Sequence, residues 1–189
     1  TYGQDYVFLP AAKDDTWIGE DAKGKNTGGM GAVSPVNFVD DKFIKKVKRE
    51  IIDKTIKGLR SENIEYKGFV FAGLMNIDGD PYVIEYNVRM GDPETQVVIP
   101  RLKNDLVDII LTCLDGKLSG ASTQFLDKYC TTVILASDGY PNQYEKGKKI
   151  TNISDEDESI IFHAGTKLIN DNIISNGGRV LAWTGCGSN

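Results

Sequence analysis

Glu85 and Asn87 stand two residues apart in the apolar run Tyr82–Val88. In a strand, alternate side chains share a face, so Val83, Glu85 and Asn87 are expected on one side and Tyr82, Ile84 and Tyr86 on the other. A carboxylate beside a carboxamide is an odd choice for a core face, because burying an unpaired carboxylate costs several kcal/mol. A wet or metal-bound face removes that cost. The two side chains would present oxygen donors about 7 Å apart at ~3.3 Å per residue, and a hard cation between them could bridge to phosphate oxygens. A sheet face that opens to solvent accounts for the same pattern. If the extended chain continues, Arg89 emerges on the same side, where a guanidinium suits phosphate or carboxylate through two parallel hydrogen bonds. Gly91-Asp92-Pro93-Glu94 then reads as a tight turn, Pro93 fixing φ and Gly91 free to take positive φ. It adds two carboxylates near one cation; a bare salt-bridge network is the competing account.

Two glycine-rich stretches carry a second kind of chemistry. Gly28-Gly29-Met30-Gly31, inside Asn26–Gly31, offers backbone N–H groups with little steric cover, as an anion-binding nest requires. It lacks the Lys-Ser/Thr ending of a Walker loop. Asn176-Gly177-Gly178-Arg179 combines two glycines for close approach with a cation, and a hairpin turn explains it equally well.

The elements that must position these groups are readable in outline. A strand is expected over Asp5–Leu9, then a long polar loop over residues 11–37, whose length itself points to function. Asp40 or Asp41 caps a helix with an apolar stripe of Phe43, Ile44, Val47, Ile51 and Leu59. Lys45, Lys46, Lys48 and Arg49, interrupted by Glu50 and Asp53, read as its solvated face. Strands Gly68–Ile77 and Tyr82–Val88 flank Asp78-Gly79-Asp80, a strong hairpin signal. Asn104 is expected to cap a helix carrying Leu106, Ile109, Ile110, Cys113 and Leu114, which Gly116 stops. Ser119–Lys128 is polar and reads as a linker. Beyond it, Thr131–Ala136, Ser159–His163, Ile173–Ser175 and Arg179–Trp183 read as short strands among turns, with no strong helical period. The acidic run Asp155–Glu158 reads as a solvated turn.

Composition excludes several function classes. The 189 residues carry 22 Lys+Arg against 27 Asp+Glu, a formal charge of −5, without the basic footprint of a nucleic-acid binder. No apolar run approaches the roughly 20 residues of a membrane span. Three cysteines, an odd number, argue against a disulfide framework, and with no apolar secretory segment at the start the sequence reads as cytoplasmic. With one histidine, any bound metal must rely on oxygen ligands, which favours magnesium over zinc. The sequence opens at Thr1 and closes just after a strand-like run, so it reads as a fragment.

Asn26–Gly31, Tyr82–Gln96, Asp138–Pro141 (DGYP), Phe162–Thr166 (FHAGT) and Asn176–Leu181 (NGGRVL) together resemble, in order, blocks of the phosphoribosylamine–glycine ligase family, ATP-grasp enzymes of de novo purine synthesis. The likeness runs from about Leu9 to Thr184, and the Arg89–Gln96 block is its most specific part. It implies an α+β chain: an antiparallel ATP-grasp sheet with flanking helices over residues 1–118, a linker over 119–128, and a small β-rich C-terminal domain over 129–189. An N-terminal domain, the small lobe over the nucleotide and the last stretch of the C-terminal domain would be missing. The reaction implied is phosphorylation of the glycine carboxylate by ATP and attack of 5-phosphoribosylamine on the acyl phosphate. Glycinamide ribonucleotide, ADP and phosphate would be its products. By this resemblance Glu85 and Asn87 are ligands of Mg2+ or Mn2+, and Val83 and Glu85 border the nucleotide. Arg89 and Asp92 are catalytic, Arg89 holding phosphate or acyl phosphate. Gly28, Gly29, Met30, Gly31, Gly177, Gly178 and Arg179 line the substrate side. His163 falls in the HAGT block at what reads as a packed strand end, a general base being its alternative reading.

The sequence also departs from that pattern. Asp14-Asp15-Thr16-Trp17 stands where the family usually has Asp-(His/Tyr)-Lys-Arg, and Ala22-Lys23-Gly24-Lys25-Asn26 where it has Asp-Thr-Gly-x-Asn. A hydroxyl and an indole replace two cations near substrate, with Lys23 and Lys25 the nearest substitutes. The alternative function is therefore a catalytically incompetent remnant that keeps nucleotide or metal binding. In either case the 189 residues alone are expected to show little ligase activity.

Overall fold

The computed structural model describes residues 1–18, 24–154 and 159–188; Lys23 and the acidic run Asp155–Glu158 lie outside the described residues. The strands are β1 (Lys13–Trp17), β2 (Asn26–Ser34), β3 (Phe71–Ile77), β4 (Asp80–Asn87), β5 (Tyr129–Ala136), β6 (Ser159–His163), β7 (Thr166–Ile169), β8 (Asn172–Ser175) and β9 (Arg179–Gly187). The helices are α1 (Asp41–Val47), α2 (Asp53–Ser61), α3 (Thr95–Val98) and α4 (Leu106–Leu114), with a π turn over Lys48–Ile52 and a 3₁₀ turn over Ile99–Arg101. Contacts group the chain into two compact units, each made of three stretches. Thr1–Ala11, Val36–Gly91 and Leu102–Leu126 form the first; Ala12–Pro35, Asp92–Arg101 and Asp127–Asn189 form the second.

In the first unit, the Asp40 side chain accepts the Phe43 N–H at 2.7 Å and starts α1. Val47 and Ile51 of the expected helical stripe are buried, and so is Ile56, which lies outside it. Their spacing is four and then five, because the π turn between α1 and α2 inserts one residue and moves the stripe on. Of the basic face, Lys46 pairs with Asp80 and Lys48 lies 4.8 Å over the Phe8 ring, so it is only partly solvated. Asp78 and Gly79, with φ of 53° and 86°, close the β3–β4 hairpin in the two-residue form that a positive φ at both positions allows. Helix α4 is capped by Asp105, which accepts the Val107 N–H at 2.7 Å. Asn104, expected in that role, instead accepts the Gln124 N–H at 2.6 Å. That bond and Lys103 N–H to Gln124 O at 2.9 Å hold the segment read as a linker against the chain before α4. Gly116, at φ 71°, follows the end of α4. Asp5–Leu9 forms no strand; Tyr2 makes single bridges to Asp5 and Lys67, and an apolar run with no neighbouring ladder stays irregular.

The second unit is built on a five-stranded antiparallel sheet ordered β1-β2-β5-β9-β6. The stretch 11–37, expected as a loop, supplies two of its strands. Glycines erase the alternation that marks a strand, and β2 owes its conformation to the distant β5, Gly31 opposing Val133. Val97 and Val98 of α3, Ala32, Ile134 and Val180–Ala182 are buried in this unit, and Thr184 Oγ1 donates to Thr132 Oγ1 at 2.9 Å within it. The Arg101 guanidinium is buried too, donating to Ser34 Oγ at 2.7 Å, and burial lowers its pKa. β7 and β8 form a separate hairpin. Cys130 and Cys186 face each other across β5 and β9 and are joined as a disulfide, against the expectation from cysteine count; a pair 56 residues apart is invisible to spacing rules. Cys113 is free and buried. No helix among the described residues is long and apolar enough to cross a membrane.

Tyr6 donates to Asp53 Oδ1 at 2.8 Å. Burial first, and this bond to a carboxylate second, push its pKa up to about 12. The folded state therefore favours the neutral phenol, and the associated stability is complete below the ordinary value near 10 and lost as pH rises through about 12. Thermal melts should show stability falling over that alkaline window, and Tyr6→Phe should flatten the fall.

Candidate functional site

The β3–β4 hairpin decides which side chains share a face. Asn87 opposes Phe71, Tyr86 opposes Ala72 and Glu85 opposes Gly73, but the next pair is Val83 with Leu74. Ile84 is the extra residue of a β-bulge, and a one-residue slip exchanges the two faces. Glu85 and Asn87 therefore lie on one side, with Asn87 Nδ2 donating to Glu85 Oε1 at 2.7 Å. Val83, expected beside them, falls on the opposite side with Tyr86, whose hydroxyl lies 2.8 Å from Thr55 Oγ1 of α2. Glu85 is exposed and Asn87 half-buried, so no desolvation cost attaches to the carboxylate. Gly73 is what seats it. A Cβ on Gly73 would stand 3.1 Å from Glu85 Cγ, closer than side chains normally pack.

One carboxylate and one carboxamide, without thiolate or imidazole, form a hard-donor set. Glu85 Oε2 and Asn87 Oδ1 hold no hydrogen bond among the described residues. This set fits a magnesium-like ion that takes few protein ligands and completes its shell with water and phosphate oxygens. Among the described residues there is no cluster of three or more His, Cys, Asp or Glu able to bind a metal without such help. Arg89 lies beyond the end of β4; it is exposed and its Nη1 donates to Met90 O at 3.0 Å.

The second unit gathers the remaining candidates. Arg179 Nη1 donates to Gly28 O at 2.7 Å, Gly29 O at 3.1 Å and Asp92 O at 3.0 Å, while its Nη2 meets Asp92 Oδ2 at 2.8 Å. Asp92 Oδ1 accepts from Gln96 Nε2 at 2.9 Å, so both carboxylate oxygens are engaged by protein donors. That arrangement suits holding a turn better than taking a proton. Gly28 N–H donates to the Tyr140 hydroxyl at 3.2 Å, and Gly29 N–H to Thr27 Oγ1 at 3.1 Å. These two amides are thus not the free donors of an anion nest. Met30 and Gly31 continue β2, half-buried. Gly178 seats the Tyr140 ring, which a Cβ would approach to 2.3 Å, and Gly177 packs against Gly165. His163 is exposed at the end of β6, its Nδ1 3.0 Å from Thr166 Oγ1, and not packed as expected. In the divergent segment, Asp15 Oδ1 accepts the Trp17 N–H at 3.3 Å, and Lys25 Nζ donates to Asn142 Oδ1.

Residues 1–95 match the family model described as phosphoribosylglycinamide synthetase, ATP-grasp (A) domain, and residues 130–189 match the C domain of the same synthetase. The chain belongs to the phosphoribosylglycinamide synthetase family. It is 44% identical over 189 residues to the phosphoribosylamine–glycine ligase of Chlorobaculum tepidum, covering 98% of this chain and 44% of that protein. It is 45% identical over 185 residues to a bifunctional purine biosynthetic protein of Pichia angusta, covering 96% of this chain and 23% of the other. The crystal structure of phosphoribosylamine–glycine ligase from Thermotoga maritima superposes with a TM-score of 0.88 at 39% identity, over all of this chain and 46% of that one. The fold is thus that of ATP-grasp proteins, an α+β chain with an antiparallel sheet, helices and a small β-rich C-terminal part. The chain spans less than half the length of these relatives.

Sequence reasoning missed Gly73, Tyr140 and Gln96 as supports of these groups. The block 138–141 is the available signal for Tyr140 and the block Tyr82–Gln96 for Gln96; nothing local marks Gly73. Replacing Gly73 with Val should keep the hairpin, since a β-branched residue suits a strand, yet push Glu85 away from Asn87. A changed Asn87 side-chain amide resonance with an unaltered far-ultraviolet circular dichroism spectrum is the expected result.

Proposed function

We propose that this chain is the part of a phosphoribosylamine–glycine ligase that holds the metal–nucleotide phosphates and lines the substrate side. The reaction is ATP-dependent joining of glycine to 5-phosphoribosylamine, giving glycinamide ribonucleotide, ADP and phosphate. The observation that carries this reading is the Glu85–Asn87 pair, two oxygen-bearing side chains on one exposed strand face within the family block. These residues would hold Mg2+ or Mn2+, whose charge offsets that of the transferring phosphoryl group.

The protein's own groups have separate tasks. The Glu85 carboxylate and Asn87 amide orient each other before any ligand arrives, which lowers the cost of ordering them. Arg89, with guanidinium N–H groups beyond the one given to Met90 O, is the cation assigned to the phosphate or acyl phosphate. Gly28–Gly31 and Gly177–Gly178 are the segments assigned to the phosphoribosylamine and glycine side, with Gly29 and Gly178 buried within them. Val83 is not part of the proposed site, because the bulge turns it away from Glu85. The division into an ATP-grasp part over 1–118, a linker over 119–128 and a C-terminal part over 129–189 belongs to the same proposal. So does action in the cytoplasm, where the Cys130–Cys186 bond would meet a reducing thiol pool.

The test is ADP release by the protein at its natural length. ADP should appear only when glycine and phosphoribosylamine are both supplied, and the 189 residues alone should turn over little. Release with either substrate omitted, or with another amine preferred, would overturn the reading. Glu85→Gln should weaken the apparent metal affinity by about 10- to 100-fold, read as a shift in the Mg2+ titration and in Mn2+ electron paramagnetic resonance.

A further inference from the structure

Arg179 belongs to a glycine-rich segment whose cation invites assignment to a ligand anion, yet its guanidinium is occupied by the protein. Its side chain is only 21% exposed. It reaches three backbone carbonyls, those of Gly28, Gly29 and Asp92, and the Asp92 carboxylate. The glycines it meets are shaped to receive it: a Cβ on Gly28 would stand 3.3 Å from Arg179 Cζ. Gly29 has φ 108°, and a Cβ there would strike Pro93 Cδ at 2.4 Å. A second contact closes the circuit. Gly28 N–H donates to Tyr140, whose ring rests on Gly178, the residue before Arg179.

We propose that Arg179 is a positioning residue: its planar fork fastens the Gly28–Gly29 part of β2 to the Asp92–Pro93 turn, so that the two move as one piece. That this piece faces phosphoribosylamine and glycine rests on the function proposed above; the fastening itself does not. Two nitrogens donating side by side in one rigid plane, Nη1 to the carbonyls and Nη2 to the carboxylate, are what a guanidinium supplies and a single ammonium nitrogen does not.

Hydrogen exchange of the protein at its natural length tests the fastening without substrate. Arg179→Ala should speed exchange by about tenfold or more in residues 26–30 and 91–96 together, leaving β5 amides unchanged. Arg179→Lys should do the same although it keeps the charge. Added methylguanidinium should restore protection to both segments in Arg179→Ala and leave the parent protein unaffected. If Arg179→Ala does not fold, Arg179→Lys carries the test. Parent-like protection in Arg179→Lys, loosening of one segment alone, or no response of a folded Arg179→Ala to methylguanidinium would overturn the proposal. In the ligase assay, Arg179→Lys should raise KM for phosphoribosylamine or glycine and leave KM for ATP unchanged; a change confined to ATP would overturn the substrate-side placement. A parent protein with no ligase activity would defeat the functional reading while leaving the exchange result to stand or fall by itself.

Discussion

A guanidinium has five N–H groups in one plane and cannot shed its charge, so wherever it is largely withdrawn from water the surrounding chain must come to it. Around Arg179 the chain does so with backbone. Carbonyls of β2 and of the turn before α3 converge on one side chain from the first residue of β9. Because backbone carbonyls accept three of the four bonds, the residues that supply two of them can be glycines, and their lack of side chains lets the guanidinium and Pro93 lie directly against the chain. The glycine-rich block is thus explained first by packing.

The hairpin in the other unit solves a different problem. A pair of polar side chains at the end of a strand would ordinarily be free to choose rotamers; here Gly73 clears the space beside Glu85 and Asn87 ties down one of its oxygens. In the proposed metal site, ordering the two side chains beforehand would reduce the entropy lost on binding. The bulge at Ile84 adds to this by taking Val83 to the face that carries Tyr86 and leaving Tyr82 with Glu85. Each unit therefore fixes its polar groups by contacts of its own, a glycine opposite the carboxylate in one and a guanidinium bonded to distant segments in the other.

Much of the fold was legible. Asp40 before an amphipathic run and Asp78-Gly79 between apolar runs are local signals with local causes, and both elements formed where those signals lie. The misreadings came from causes outside the local window. β2 reads as a loop because glycines carry no alternation, while its conformation depends on β5 about a hundred residues later. Ile56 escaped the helical stripe because a π turn changed the phase. Asn104 fits the local pattern of a cap, but its oxygen accepts the Gln124 N–H, and Asp105 caps the helix instead.

By itself the sequence determined the chemistry on offer: a carboxylate and an amide two residues apart on a strand, a cation after them, glycine-rich segments, and a single histidine, which is not enough for a multi-imidazole metal site. Residue type and short spacing suffice for that, since hairpin and helix geometry are set within a few residues. Only the tertiary structure decided which groups are free to meet a ligand and which are consumed by the protein. Arg179 and both oxygens of Asp92 are consumed; Glu85 Oε2 and Asn87 Oδ1 are not. The reason is physical: satisfying a largely withdrawn charge depends on which distant segments the fold brings within about 3 Å of it, and no local pattern in the chain encodes that distance.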